Sequence, residues 1–208
     1  MIRLSQEGAL WTVTLDRPDK ANALTGAMLE DLVQIADAAV GSARALVLTG
    51  TGKVFSAGAD LDEARAGLAT SPLWEEVSGR IARLPCLTVA ALNGTLAGGA
   101  FGMALACDLR LAVPGAKFFY PVMKLGFLPQ PSDPGRLRTL VGPARAKAIL
   151  MAGQRVEAPE ALSWGLVDRI APPEALLAEA RALTADACAA SAEHVAAIKG
   201  FLSDPATR

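Results

Sequence analysis

Two short runs of small residues could supply backbone N–H groups to a single oxygen atom. One run is Ala57-Gly58-Ala59 and the other is Gly98-Gly99-Ala100. Small residues let a ligand come close to the backbone, and the start of a helix presents unpaired N–H groups. Two such donors about 3 Å from an oxygen stabilise negative charge that develops on it. One turn of this kind alone is typical of tight strand-to-helix packing, but the pair predicts an oxyanion-stabilising site.

The elements that must position these runs alternate between strand and helix. The apolar pattern predicts strands at 9–15, 44–49, 86–92, 109–113 and 117–119. It predicts helices at 25–40, with Thr25 as N-cap, and over most of 60–83, with interruptions near Gly67 and Pro72. Such alternation indicates an α/β layered fold.

The C-terminal part has a different pattern. From about residue 135 onward it is mainly helical, and the predicted helices lie at 135–141, 142–152, 158–164 and 174–199. We therefore divide the chain into a core, 1–140, and a helical C-terminal region, 141–208.

Composition excludes several classes of protein. Hydrophobic residues make up 52% of the 208 residues, too many for a disordered chain, and the net charge of −1 gives no basis for binding nucleic acid. Cys86, Cys107 and Cys188 are too far apart in sequence to form a typical metal site, so we expect free thiols, no metal and a cytoplasmic location. The N-terminus lacks the apolar stretch of a signal peptide, and no segment is typical of a membrane span.

Four segments in order along the chain resemble the crotonase (enoyl-CoA hydratase/isomerase) family. They are RPDKANAL (17–24), FSAGADLDE (55–63), NGTLAGGAFGMALACDLRLA (93–112) and GLVDRI (165–170). The resemblance extends from about residue 8 to residue 199. It implies a crotonase-like fold of repeated ββα units with a mostly helical C-terminal region, and an acyl-CoA thioester as ligand. Coenzyme A would enter as part of the substrate, with no other cofactor.

The resemblance also implies roles for particular residues. Ala59 and Gly99 would donate the two oxyanion N–H groups. The residues bordering coenzyme A would be Lys20, Ala21, Ala23, Ala57, Asp60 and Leu61. Lys20 is equally well interpreted as a solvated loop lysine.

The two glutamates with which the family's hydratases add water are absent at the matching positions. Gly102 and Val122 stand there, and neither can exchange a proton. Gln130 occupies a position where some relatives carry an aspartate, and its amide can orient a ligand but cannot act as a base. Asp133 is a candidate acid, although its place before a helix favours an N-cap. Tyr120 is either a hydrogen-bond donor to the ligand or an ordinary core tyrosine.

Family members usually continue for several helices beyond the stretch matching 190–199, and this chain ends at Arg208. Helices of that kind commonly cover the acyl pocket and contribute to subunit contacts. By resemblance we expect a homotrimer or hexamer.

Three functions remain open from the sequence. The first is an acyl-CoA lyase or isomerase that needs the oxyanion site but not two glutamates; decarboxylation of a malonyl-type CoA fits, because loss of CO₂ creates the enolate directly. The second is a non-catalytic acyl-CoA-binding protein. The third, nucleotide binding, is poorly supported, because the run Gly50-Thr51-Gly52-Lys53 lacks the first glycine and the Ser/Thr of a P-loop.

Overall fold

The computed structural model describes residues 1–202, which form two β-sheets and the helices that cover them. The strands are β1 (Ile2–Glu7), β2 (Leu10–Leu15), β3 (Ala45–Gly50), β4 (Val54–Ser56), β5 (Leu87–Leu92), β6 (Thr95–Ala97), β7 (Leu109–Ala112), β8 (Lys117–Phe119), β9 (Val156–Glu157) and β10 (Arg169–Ile170). The larger sheet has the order β1-β2-β3-β5-β7-β10, and the smaller has the order β4-β6-β8-β9.

The helices lie between and after these strands. They are α1 (Gly26–Ala39), α2 (Leu61–Arg65), α3 (Leu73–Arg83), α4 (Phe101–Ala106), α5 (Val122–Leu125), α6 (Asp133–Leu150), α7 (Ala158–Trp164), α8 (Leu176–Ala182), α9 (Ala185–Ala189) and α10 (Ala192–Leu202). Short 3₁₀ turns occur at Pro18–Lys20, Leu68–Thr70 and Gly98–Ala100.

Successive strands alternate between the two sheets before each helix begins. In the first unit β3 lies in the larger sheet, β4 in the smaller, and α2 follows; β5, β6 and α4 repeat the pattern, as do β7, β8 and α5. This confirms the α/β fold of ββα units. Because β4, β6 and β8 are parallel to one another, their carboxyl ends meet at one edge of the smaller sheet. Ligands of parallel α/β sheets bind at such an edge.

The core explains why the central strands are apolar throughout. Strands β3 and β5 are covered on both faces, so nearly every residue in them is buried, as parallel strands require. The smaller sheet adds Phe55 and Phe118, which together with Phe101 of α4 are fully buried.

Several sequence predictions are confirmed, and others differ from the structure in an element or its bounds. Thr25 caps α1, since its side chain accepts a hydrogen bond from the Met28 N–H at 3.2 Å. The structure adds β1, whose side chains are mostly exposed and therefore lack an apolar pattern.

The single helical stretch predicted at 174–199 is three helices. Extended backbone at Ala190 ends α9, and the Ser191 hydroxyl then accepts from the His194 N–H at the start of α10.

Helix α6 is interrupted at Gly142, where φ is +79°. This left-handed conformation suits glycine, and Pro143 starts the next turn. The break lies close to the predicted boundary between 140 and 141; a division into two regions there stays a prediction.

Candidate active site

The two glycine-containing turns contact each other at the carboxyl ends of β4 and β6. A Cβ built on Gly58 would lie 3.0 Å from the carbonyl oxygen of Ala97 and 3.4 Å from the Cα of Gly98. Both glycines have positive φ, +94° for Gly58 and +58° for Gly98, so a side chain is disfavoured at each for conformational reasons as well. The contact places the backbone of Ala59 beside that of Gly99.

The peptide N–H groups of Ala59 and Gly99 take no part in the backbone hydrogen bonds that join these turns to neighbouring segments. The Leu24 N–H donates to the Gly58 carbonyl and the Asp60 N–H donates to the Leu24 carbonyl, both at 2.8 Å. In this parallel bridge the residue in between, Ala59, directs its own N–H away from Leu24. Gly99 belongs to the turn that opens α4, where N–H groups have no partner within the helix.

The loop carrying Lys20, Ala21 and Ala23 is tied to the first turn. The Ala57 N–H donates to the Ala21 carbonyl at 3.0 Å. Asn22, which sequence reasoning did not single out, is fully buried, and its amide donates to the carbonyls of Thr51 and Val54. The left-handed backbone of Ala21 and Asn22, with φ near +50°, is therefore held by this network. Lys20 is exposed and Ala23 is buried.

Asp60 and Leu61 follow the first turn and differ in their surroundings. The Asp60 carboxylate accepts the N–H groups of Asp62 and Glu63 and pairs with Arg17 at 2.7 Å. The hydrogen bond from Arg17 holds the pKa of Asp60 below its usual value. Asp60 thus caps α2 and anchors the turn, whereas the apolar side chain of Leu61 is 73% exposed.

Asp133 is not an N-cap, and that prediction was wrong. Ser132 holds the cap position; Asp133 is the first residue inside α6, and its side chain is fully buried. Its Oδ2 accepts a hydrogen bond from the Tyr120 hydroxyl at 2.9 Å. The start of α6 is instead held by Glu75 of α3, which accepts the N–H of Ser132 at 3.1 Å and also its hydroxyl.

The second oxygen of Asp133 faces Gly102. A Cβ built on Gly102 would lie 2.9 Å from Oδ1 of Asp133 and 3.3 Å from Oδ2. Oδ1 has no hydrogen-bond partner, and its nearest cationic atom is Nη1 of Arg136 at 3.9 Å. An acid from α6 therefore fills the space beside Gly102 of α4 that a side chain there would need. The sequence contained both signals, but only the structure shows their contact.

Burial raises the pKa of the Asp133 carboxyl to about 7. The hydrogen bond from Tyr120 and the charge of Arg136 oppose this rise, and the charge of Glu75 adds to it. Burial also raises the pKa of Tyr120, which therefore stays a neutral donor at physiological pH, and lowers the pKa of Arg136. A carboxyl group whose pKa lies near neutrality can both accept and donate a proton.

The structure places the three remaining predicted positions, Tyr120, Val122 and Gln130, in different surroundings. Tyr120 follows β8 directly, is buried and stacks on Phe101 with the ring centroids 5.4 Å apart. Tyr120 is thus a core tyrosine and also a hydrogen-bond donor, and the acceptor of its hydrogen bond is Asp133. Val122 is buried at the start of α5. Gln130 is half-buried, and its N–H points to the Tyr120 hydroxyl at 3.4 Å.

Trp74 was missed by sequence reasoning. A Cβ built on Gly99 would lie 3.0 Å from atoms of the Trp74 ring, so this buried ring covers one side of Gly99. Its indole N–H donates to the carbonyl of Leu68 at 2.8 Å, which fixes the ring orientation. An aromatic residue that begins a helix carries no local signal for such a contact, because the contact joins distant segments.

A separate cavity of about 810 Å³ lies at the other end of α4. It is bordered by Leu105, Ala106 and Cys107, by residues of α10, and by Arg136. The glycine turns do not line it. Arg136 therefore borders this cavity and also faces Asp133.

Residues 1–202 contain no group of three or more His, Cys, Asp or Glu side chains arranged to hold a metal ion. No helix within the same range combines the length and apolar character needed to cross a membrane. Cys86, Cys107 and Cys188 are free thiols.

Comparison with known proteins gives a consistent result. A family model described as enoyl-CoA hydratase/isomerase matches residues 5–208. A probable enoyl-CoA hydratase, echA6, of Mycobacterium tuberculosis is 37% identical over 187 residues, covering 89% of this chain and 75% of the relative. A carnitinyl-CoA dehydratase of Salmonella arizonae is 37% identical over 209 residues, covering 95% and 78%.

A solved structure is similar over nearly the whole chain. The crystal structure of an enoyl-CoA hydratase from Bacillus anthracis matches 99% of this chain and 85% of its own, with a TM-score of 0.89 and 30% identity. The match spans the glycine turns, both sheets and most of the C-terminal helices described above. This chain belongs to the enoyl-CoA hydratase/isomerase family.

Proposed function

We propose that this protein binds an acyl-CoA thioester and polarises its carbonyl group with the N–H groups of Ala59 and Gly99. The observation that carries the proposal is the contact between the two turns at the carboxyl ends of β4 and β6. The Ala59 N–H points away from its bridge with Leu24, and the Gly99 N–H lies in the turn that opens α4. Two fixed donors at one oxygen are the arrangement that stabilises an enolate or tetrahedral oxyanion.

Coenzyme A binds, in this proposal, along the surface made by the loop at 20–23 and the turn at 57–61. The hydrogen bond from Ala57 to Ala21 supports this, because it joins the two segments into one surface. The exposed side chain of Leu61 offers an apolar face to the adenine, and the exposed Lys20 offers a charge to a phosphate. Asp60 acts indirectly, by holding the turn through Arg17.

The reaction we favour is isomerisation or decarboxylation rather than two-glutamate hydration. Gly102 has no side chain and Val122 has only a buried apolar one. Isomerisation and decarboxylation both pass through an enolate, which the oxyanion site stabilises. A second candidate is an acyl-CoA-binding protein without turnover. The ring of Trp74 against Gly99 favours it, because the ring narrows the space beside the oxyanion site.

Titration calorimetry with three matched ligands tests the proposal. The ligands are butyryl-CoA, its thioether analogue with a CH₂ group in place of the carbonyl, and coenzyme A. We expect the thioester to bind about 5- to 150-fold more tightly than the thioether, since two neutral hydrogen bonds contribute about 1–3 kcal/mol together. Equal affinity for thioester and thioether would contradict the role of the two N–H groups.

A homotrimer or hexamer is part of the proposal. Its support is an exposed apolar segment containing Met123, Leu125, Phe127 and Leu128, of which Leu128 is 87% exposed. Clustered apolar side chains of this kind mark interaction surfaces. Light scattering after gel filtration measures the mass directly, and a monomer at micromolar concentration would contradict the proposed oligomer. A cytoplasmic location and the lack of any cofactor besides coenzyme A stay predictions.

A further inference from the structure

The carboxylate of Asp133 occupies the space that a side chain on residue 102 would need. The 2.9 Å from Oδ1 to a Cβ built on Gly102 is shorter than any van der Waals contact, so the two cannot coexist without a shift. The aspartate at 133 can therefore occupy this position only because residue 102 is a glycine. The acid comes from α6 and the room for it comes from α4.

Gly102, which the Asp133 carboxylate contacts, lies one turn from Gly99. Residues three apart in a helix share a face and have side-chain positions about 5–6 Å apart. Gly99 and Gly102 are three apart in the continuous turn that becomes α4. A thioester whose oxygen lies at Gly99 and whose acyl chain extends toward Gly102 would have its C2 atom on the side of Asp133.

The two oxygens of Asp133 differ in a way that suits proton transfer. Oδ2 is held by the Tyr120 hydroxyl, which fixes the plane of the carboxyl group. Oδ1 is the oxygen nearer to Gly102, and it has no hydrogen-bond partner. A buried carboxylate oxygen without a donor is costly for the fold, and such an atom is free to take a proton from a ligand.

We propose that Asp133 is the acid–base residue of this protein and that it moves one proton between C2 and C4 of a 3-enoyl-CoA, giving the 2-enoyl-CoA. Tyr120 is a positioning residue that acts through Asp133. The assignment rests on the proposed function, because Ala59 and Gly99 must hold the thioester oxygen.

The step is balanced without any further reactant. Oδ1 takes the proton from C2; the electrons of that C–H bond form a C1–C2 double bond and the carbonyl π electrons move to the thioester oxygen, giving a dienolate. The protonated Asp133 then gives the same proton to C4, which bonds through the electrons of the C3–C4 double bond; the C1–C2 double bond shifts to C2–C3 and the C=O bond forms again. One carboxyl group is enough for this reaction, whereas hydration uses a second group to activate water.

The surroundings of Asp133 fit a base that works near neutrality. The charged and titratable groups facing it are Tyr120 after β8, Arg136 one turn along α6, and Glu75 of α3. Gly102 of α4 contributes no charge. The pKa of Asp133 is raised to about 7 by burial, so both protonation states are available at physiological pH.

Deuterium exchange at C2 tests the assignment without knowledge of the natural acyl chain. The full chain is incubated in D₂O with acetyl-, butyryl- or octanoyl-CoA, and deuterium in the recovered thioester is measured by mass spectrometry. We expect wild type to exchange C2 protons with a rate that rises with pH through about 7. Binding of the same thioesters is measured by calorimetry in parallel.

The decisive variant is Asp133→Asn, with Asp186→Asn as its control. We expect Asp133→Asn to lower the exchange rate by about 100-fold or more while thioester binding persists. Asp186 is exposed on α9, so its replacement should change neither property. Tyr120→Phe should move the pH profile to higher pH, because the lost hydrogen bond normally lowers the pKa of Asp133.

A reciprocal exchange of residues protects the test against misfolding of a single variant. Gly102→Glu combined with Asp133→Gly returns the carboxyl group to α4, and we expect it to exchange faster than Asp133→Gly alone.

Three results would be adverse. Wild type that binds thioesters but never exchanges C2 protons would overturn the role of Asp133 and leave the binding function standing. Exchange by Asp133→Asn at the wild-type rate would overturn it as well. Failure to bind any thioester would remove the proposed function, and this assignment with it.

Discussion

The first turns of α4 and α6 contact each other at Gly102 and Asp133, yet they are built from opposite kinds of residue. The turn Gly98–Ala100 that opens α4 consists of small, uncharged residues, which leaves its N–H groups open to a ligand. The start of α6 carries two buried charged residues, Asp133 and Arg136, and is held by Glu75 from a third helix. One helix thus offers bare backbone and its neighbour offers the charge. The difference shows that a buried acid on one helix can pack against another helix where that helix carries a glycine.

The largest expected effect concerns the pH dependence of stability. An unfolded aspartate titrates near 4, whereas the pKa of Asp133 in the fold is about 7. Between these values the unfolded chain binds fewer protons than the folded one, so the free energy of unfolding falls as pH rises. The fall amounts to about 4 kcal/mol when complete.

Urea unfolding of wild type and Asp133→Asn between pH 4 and pH 8 measures this effect. All other titrating groups are shared, so the difference between the two curves isolates Asp133. We expect the variant to gain stability relative to wild type across this range and to level off above pH 7. Parallel curves would mean that the carboxyl group is not buried at the start of α6.

The contact between the two helix starts is tested by Gly102→Ala. The added methyl group would lie 2.9 Å from Oδ1, and relief of that overlap should cost about 1–3 kcal/mol of stability. The same substitution in an Asp133→Gly background should cost much less, because the obstructing carboxylate is gone. Gly115→Ala is the control, since nothing lies within 4 Å of a Cβ at that position. Equal costs in both backgrounds would show that the two helix starts do not touch.

The smallest expected effect comes from the contact that holds α6. Glu75→Gln keeps one oxygen acceptor for Ser132 but removes the charge, and we expect a loss of about 1 kcal/mol. It should also move the pH at which stability falls to a lower value, because the charge of Glu75 raises the pKa of Asp133. Glu76→Gln on the exposed side of α3 is the matched control and should leave that pH unchanged. If the pH at which stability falls is the same in Glu75→Gln as in wild type, the charge of Glu75 does not influence the pKa of Asp133.

Much of the fold could be predicted, because the long buried strands carry strong local patterns. Strands β3 and β5 are nearly continuous apolar runs, and Thr25 gives a cap signal before an amphipathic helix. Of the smaller sheet only β8 was predicted, as the strand at 117–119, whereas β4, β6 and β9 were not. β4 and β6 have three residues each and β9 has two, and such short segments give little periodic pattern to recognise.

The candidate site likewise has residues that could be predicted from the sequence and a contact that could not. Ala59 and Gly99 could be proposed because small residues in a turn are visible in the sequence. The contact of Asp133 with Gly102 could not, because it joins residues 31 positions apart in sequence through tertiary packing. Local reasoning assigned Asp133 to a cap, the commonest role of an aspartate before a helix. Trp74 was missed for the same reason.

Infrared difference spectroscopy of a bound thioester tests the central claim most directly. Butyryl-CoA labelled with ¹³C at the carbonyl carbon is compared with the unlabelled ligand, so that the carbonyl stretch is separated from the protein bands. Two N–H donors from Ala59 and Gly99 weaken the C=O bond by drawing electron density to oxygen, and we predict a stretch at lower frequency than in water. A frequency equal to or higher than that of the free thioester would contradict the account.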